Sequence, residues 1–222
     1  MDTSLWMSRD LLTVAPTTPL LEAARRMAQR RVRHLLVVEP ADSRHLVGLV
    51  SSHDLYLAAE SGVNPFSPRA VDREARTVAA IMTSKPLAVP SNTPIATAAR
   101  ILRDKKYGCL PVVDRGELVG ILTEHDILRA FLRLSGADAP GYEVTATLSD
   151  ATGDVLAPLC TLAQRRGLRL VSAAQFEHDR VHYAVVHFTG PRNDAFVDEL
   201  WASGLRILRV RETTDAPTPA VV

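Results

Sequence analysis

The sequence predicts an α+β fold built from a duplicated unit and one further domain, on three observations. The segment GLVSSHDLYLAA from Gly48 returns as GILTEHDILRAF from Gly120. Sliding the chain by 75 positions also aligns what precedes both segments, with Leu12-Thr13-Val14 over Leu87-Ala88-Val89 and Leu35-Leu36-Val37-Val38 over Leu110-Pro111-Val112-Val113. From Tyr142 onward the hydrophobic pattern changes and matches neither copy. A fixed internal period marks a repeated supersecondary unit.

Each copy reads in the same order. A short extended piece leads to a Thr-Pro pair, Thr18-Pro19 or Thr93-Pro94. Threonine is a favoured helix N-cap, and proline at the first helical position loses nothing by lacking an N–H. Thr18 and Thr93 are therefore expected to cap. Leu20, Ala23, Ala24 and Met27 then recur at helical spacing, as do Ile95, Ala98, Ala99 and Leu102, giving each helix one apolar face. HLLVV and CLPVV follow as short strands. A turn leads to a second strand, LVGLV or LVGIL, and to a helix opening at Asp54 or Asp126. The unit is β-α-β-β-α. The first copy occupies 1–60 and the second 77–134, joined by a linker over 61–76 that holds prolines and charges without periodicity. A second composition break, SGADAPG at 135–141, ends the repeat region.

The last segment has its own order. Val144, Ala146 and Leu148 alternate as in a half-buried strand, and Asp150 to Gly153 make a turn. Val155, Leu159 and Leu162 form a helix stripe ending near Gly167. LRLVSAAQF and VHYAVVHF are two strands joined by the polar turn EHDR. A second helix carries Phe196, Leu200 and Trp201, with Gly204 just past its end, and LRILRV supplies the last strand. This β-α-β-β-α-β order over 142–212 is that of a ferredoxin-like sandwich. The tail over 213–222 is expected to be disordered.

Composition narrows the function classes. A formal net charge of +1 over 222 residues leaves no field for a dedicated nucleic-acid or anionic-membrane partner. Aromatic content of 5% offers few platforms for base stacking. No apolar run approaches the ~20 residues of a membrane span, and MDTSLWMSRDLL lacks the apolar core of a targeting segment. Cys109 and Cys160 lie in apolar surroundings without metal spacing and read as buried free thiols of a reducing compartment. A cytoplasmic protein is expected. Neither a Ser/His/Asp or Cys/His arrangement nor a phosphate-cradling glycine loop is visible, so no catalytic residue and no metal ligand is assigned.

The repeated corner has two readings. Ser51-x-x-Asp54 and Thr123-x-x-Asp126 match a capping box, in which both side chains satisfy orphan amides at a helix start. The same corner also suits a nucleotide. The helix N-terminus attracts phosphate, a carboxylate accepts both hydroxyl protons of a ribose diol, and the hydroxyl binds ribose or phosphate. The preceding glycine lets the backbone approach a neighbour closely. His53 and His125 are exposed corner residues or, when protonated, phosphate donors. Arg30-Arg31 and Lys105-Lys106 end the first helix of each copy, where cations suit a helix C-terminus.

With MSRDLLTVAPTTPL matching IMTSKPLAVPSNTPI, and with CLPVVD and the two corners, residues 1–134 resemble tandem CBS domains, the Bateman module. The resemblance implies two repeats packed as a pseudo-two-fold pair, with clefts for adenosine compounds such as AMP, ADP, ATP, S-adenosylmethionine or NADH. It places the ribose-binding acid at Asp54 and Asp126, the hydroxyl at Ser51 and Thr123, and a cleft-lining strand proline at Pro111. The first copy has Leu36 in place of that proline, and Arg33 where the second has Gly108, so the clefts are expected to differ. Residues 142–212 resemble an ACT domain, a regulatory module that binds amino acids at a dimer interface. Asp150 and Gly153 stand at its Asp-x-x-Gly turn, although Asp154 occupies a position that is usually apolar. The whole order is similar to that of accessory proteins associated with acetoin utilisation. The implied function is a non-catalytic regulator: an adenosine nucleotide as regulatory ligand, no required cofactor, a homodimer, and a regulated enzyme that the sequence does not identify. Two further readings stay open, a structural assembly module with empty clefts and a nucleotide-processing enzyme. The latter lacks a nucleophile and a base.

Overall fold

The structure, a computed structural model, describes residues 1–60, 77–148, 155–191 and 193–213. It divides into two compact units, Met1–Ile127 and Leu128–Val222.

In the first unit, β1 (Thr13–Val14), α1 (Leu20–Arg30), β2 (His34–Glu39), β3 (Asp42–Ser51) and α2 (Ser52–Glu60) come from the first copy. The second copy adds β4 (Thr83–Ser84), α3 (Ile95–Lys105), β5 (Cys109–Asp114), β6 (Glu117–Thr123) and the start of α4 (Glu124–Ser135). The duplication extends to backbone register. Val14 pairs in parallel with Val37, and Val89 bridges Val112 in the same sense. Both hairpins shift register at matching places, between Val37 and Val38 and between Val112 and Val113.

The helix starts differ from the sequence expectation. Pro19 and Pro94, not Thr18 and Thr93, occupy the N-cap positions, and neither receives a side-chain cap. The proline carbonyls accept the first helical bonds, from Ala23 and Ala98 N–H. The Thr18 hydroxyl instead accepts from Ala15 N–H, an alternative that hydroxyl side chains often offer the backbone. Both helices end in left-handed residues, Arg31 (φ 51°) and Lys106 (φ 55°).

Each copy lends its leading segment to the other. Thr3 N–H donates to Thr93 C=O at 2.8 Å, and Ser8 and Ile121 exchange two backbone bonds. Met7 consequently joins the core of Leu102, Leu110 and Leu122 in the second copy. In the reciprocal arrangement, Val78 N–H donates to Thr18 C=O, β4 pairs with β3, and Val78 enters the core of Leu20, Leu35 and Val50. Gly48 and Gly120 are the points of approach: a Cβ on either would run into the Met82 or Met7 side chain. A third cluster of Leu36, Val38 and Leu118, with Leu49 and Ile121 against it, joins the two hairpins.

The second unit holds β7 (Gly141–Leu148), α5 (Leu156–Arg165), β8 (Arg169–His178), β9 (Val181–Thr189), α6 (Asp194–Ala202) and β10 (Ile207–Thr213). Its antiparallel sheet has the order β10-β7-β9-β8, so each β-α-β crossover skips one strand. Phe188, Phe196, Leu159 and Leu200 are fully buried at its centre. The β8–β9 hairpin turns through Asp179 and Arg180, both at positive φ (50° and 63°), as a two-residue turn with matching twist requires. Asn193 caps α6 by accepting from Phe196 N–H. Trp201, which the sequence places on this helix with Phe196 and Leu200, is 55% exposed. It lies five residues beyond Phe196, about 140° around the helix. His187 is buried and its Nε2 bonds Ala139 C=O at 2.9 Å. Asp150, Gly153 and the tail over 214–222 lie outside the described residues. No helix among the described residues is long and apolar enough to cross a membrane.

Candidate functional site

The two corners are built alike, atom for atom. Strand β3 ends at Ser51 and α2 begins at Ser52; β6 ends at Thr123 and α4 begins at Glu124. Asp54 Oδ2 accepts from Ser51 N–H and Oγ–H, both at 2.7 Å, and Asp54 N–H donates back to Ser51 Oγ at 3.2 Å. Asp126 Oδ2 accepts from Thr123 N–H at 2.8 Å and Oγ1–H at 2.7 Å, with the return bond at 3.3 Å. This is the reciprocal capping box. In each copy these bonds use one carboxylate oxygen, Oδ2, and Oδ1 takes no part in them.

Each corner opens on its own cleft. The cleft at Asp126 has a volume of about 670 Å³ and is walled by Thr123, His125, Leu12, Leu36 and a basic run from Arg30 to His34. The cleft at Asp54, about 400 Å³, is walled by Ser51, His53, Leu87, Tyr107, Lys106 and Glu124. The walls correspond under the repeat, with Leu12 facing Leu87 and Arg31 facing Lys106 across the pseudo-symmetry. Each cleft therefore combines the corner of one copy with the first-helix terminus of the other. Arg33, His34 and Gly108 border both.

The CBS domain pattern matches residues 3–61 and 78–133, more than half of the chain. The chain belongs to the CBS domain family. The chloroplastic CBS domain-containing protein CBSX1 of Arabidopsis thaliana is 36% identical over 146 residues, which are 56% of this chain and 61% of that protein. This chain thus spans less than two thirds of that relative's length. The crystal structure of CBSX2 in complex with AMP, a protein of the same plant, is similar at 32% identity and a TM-score of 0.51, covering 60% of this chain and 97% of that one. A putative acetoin utilization protein (AcuB) from Vibrio cholerae is similar at 26% identity and a TM-score of 0.52, covering 60% of this chain and 93% of the other.

Within the CBS pair, Gly108 and His34 meet at the joint between the clefts. A Cβ on Gly108 would stand 2.8 Å from His34 Nε2, so the glycine is what admits the imidazole. Burial first, and then the neighbouring Arg33 charge, hold His34 below its ordinary value of 6.5, against the opposing pull of Asp54 and Glu124. Burial also pushes the Cys109 thiol up to about 12, which keeps it protonated and unreactive. A pH dependence follows. A histidine kept neutral in the fold binds protons more readily when unfolded, so stability falls as pH drops below about 6.5 and levels off beneath the lowered folded value. His34→Asn is expected to flatten that acid limb in urea titrations run from pH 7.5 to 5.

Of the residues singled out in the sequence, Ser51, His53 and Asp54 line one cleft and Thr123, His125 and Asp126 the other. Pro111 does not join them: it is buried in β5, paired to Ile121, outside the residues that wall either cleft. Leu36, its counterpart, does line the Asp126 cleft. The cleft residues that motif reading did not assign include Arg31, Arg33, His34, Lys106 and Glu124. Repetition of paired cations at the helix ends was the available signal for Arg31. No group of His, Cys, Asp and Glu among the described residues could hold a metal ion.

Proposed function

We propose that this CBS pair is a non-catalytic sensor of an adenosine-containing ligand, bound at the Asp54 and Asp126 corners. One observation carries the reading: the Ser/Thr–Asp corner occurs twice with the same geometry, each time at the mouth of a cleft. A carboxylate has acceptor capacity beyond the two capping bonds and is chemically suited to accept the hydroxyl protons of a ribose diol. The helix N-terminus beside it favours phosphate, with His53 and His125 as further donors. AMP in the CBSX2 complex supports the adenosine class. AMP, ADP, ATP, S-adenosylmethionine and NADH are the candidates. A ligand regulates only by preferring one arrangement of the repeats, and that preference sets the coupling it transmits to a homodimer or a regulated enzyme.

The ferredoxin-like unit is read as ACT-like over 142–212, with Asp150 and Gly153 at an amino-acid site or dimer interface. The division into repeats at 1–60 and 77–134 and the cytoplasmic location belong to the same reading. An assembly module with empty clefts is the second reading, favoured by the complete capping networks.

Thermal-shift measurements with each adenosine compound and the common amino acids test the proposal. A ligand at 100 times its Kd adds about 2.7 kcal/mol, a clear rise in Tm. Absence of any shift with every adenosine compound at millimolar concentration overturns the sensor and leaves the assembly module.

A further inference from the structure

We propose that the two clefts are sorted by charge, the Asp126 cleft taking a phosphorylated adenosine ligand and the Asp54 cleft an adenosine ligand without phosphate. This rests on the reading above that the clefts accept adenosine compounds.

The contrast lies in the balance of charged side chains that line each cleft. In the Asp126 cleft, Arg30 is paired with Asp10, which leaves Arg31 and Arg33 to face the open space. Neither has an ion-pair partner among the described residues. Guanidinium groups grip phosphate oxygens in bidentate fashion, and among the described lining residues a dianion meets three arginines, Arg30, Arg31 and Arg33, against two acids, Asp10 and Asp126. The Asp54 cleft has Lys106 in place of Arg31, and Glu124 projects into it from the first turn of α4. Among the described residues that line it, two fixed cations, Arg33 and Lys106, are balanced by Asp54 and Glu124. The first copy has neutral Ser52 where the second has Glu124, so no counterpart of Glu124 joins Asp10 and Asp126 among the described residues of the Asp126 cleft. Arg33 borders both spaces and cannot discriminate. Arg31 and Glu124 do. Volume agrees: the cationic cleft is the larger, about 670 against 400 Å³.

AMP and adenosine differ by the phosphate alone, so they isolate the effect. The full chain is titrated calorimetrically with each, as wild type and as Arg31→Asn, Glu124→Gln, Asp54→Asn and Asp126→Asn. Asparagine tolerates the left-handed backbone at position 31, and at 54 or 126 its amide oxygen still accepts the capping bonds, so these variants fold. The tightest AMP site is expected to weaken with Asp126→Asn and to survive Asp54→Asn. Arg31→Asn is expected to weaken AMP about three- to five-fold, the scale of one partly exposed ion pair, without moving adenosine. Glu124→Gln is expected to tighten AMP at its weaker site by a similar factor. The sorting is overturned if Arg31→Asn leaves AMP unchanged, or if Asp54→Asn removes the tighter AMP site. If wild type binds both compounds equally at both clefts, only the sorting fails. If it binds neither, the adenosine reading fails and takes the sorting with it.

Discussion

Asp126→Ala is expected to lower AMP affinity at its cleft by at least about ten-fold and to cost about 1–3 kcal/mol of stability. The side chain is 5% exposed, and its Oδ2 accepts from both the backbone and the hydroxyl of Thr123. Alanine removes that acceptor, so a part-buried N–H at the head of α4 loses its partner. Urea denaturation measures the stability term, and calorimetric titration the ligand term. Asp126→Asn separates them, because the amide keeps the cap but loses the negative charge that a ribose diol prefers. If the corner were a cap alone, alanine would lower stability and asparagine would be near neutral. AMP would bind neither variant nor the wild type.

Phe188→Ala is expected to be the most damaging single change in the second unit, costing about 3–5 kcal/mol. Phe188 is fully buried and meets Phe196 edge-on at 5.8 Å. Truncation leaves a cavity between the sheet and its helices, and the aromatic pair is lost with it. The core around Phe188 shares no residue with the three clusters of the CBS pair. Hydrogen exchange is therefore expected to quicken in β7, β9 and α6 well before β2 and β5. Equal loss of protection in all five elements would contradict that separation.

How much of this was legible in advance depends on the range of each interaction. The β-α-β-β-α order follows from local periodicity and turn residues, and the copies support each other because one pattern is written twice. The capping letters Ser51, Asp54, Thr123 and Asp126 are three residues apart, so their mutual bonds are local and readable. The exchange of leading segments is not local. Met7 and Val78 look like ordinary hydrophobic residues of their own copies, and only topology decides which core receives them. Thr18 departs from the capping expectation because its hydroxyl can serve several backbone N–H groups, and the fold selects Ala15. The cleft walls were hardest to see. Arg33, His34 and Gly108 acquire their meaning from the meeting of two copies, 75 residues apart along the chain.

The central claim is that each corner is a ribose site as well as a cap. It is tested most directly by a crystal structure of the full chain grown with AMP. The account predicts AMP in at least the Asp126 cleft, with ribose hydroxyls about 2.6–3.0 Å from the Asp126 carboxylate and the phosphate turned toward Arg31. AMP bound away from both corners, or seated in a cleft with its ribose out of reach of either aspartate, would contradict it.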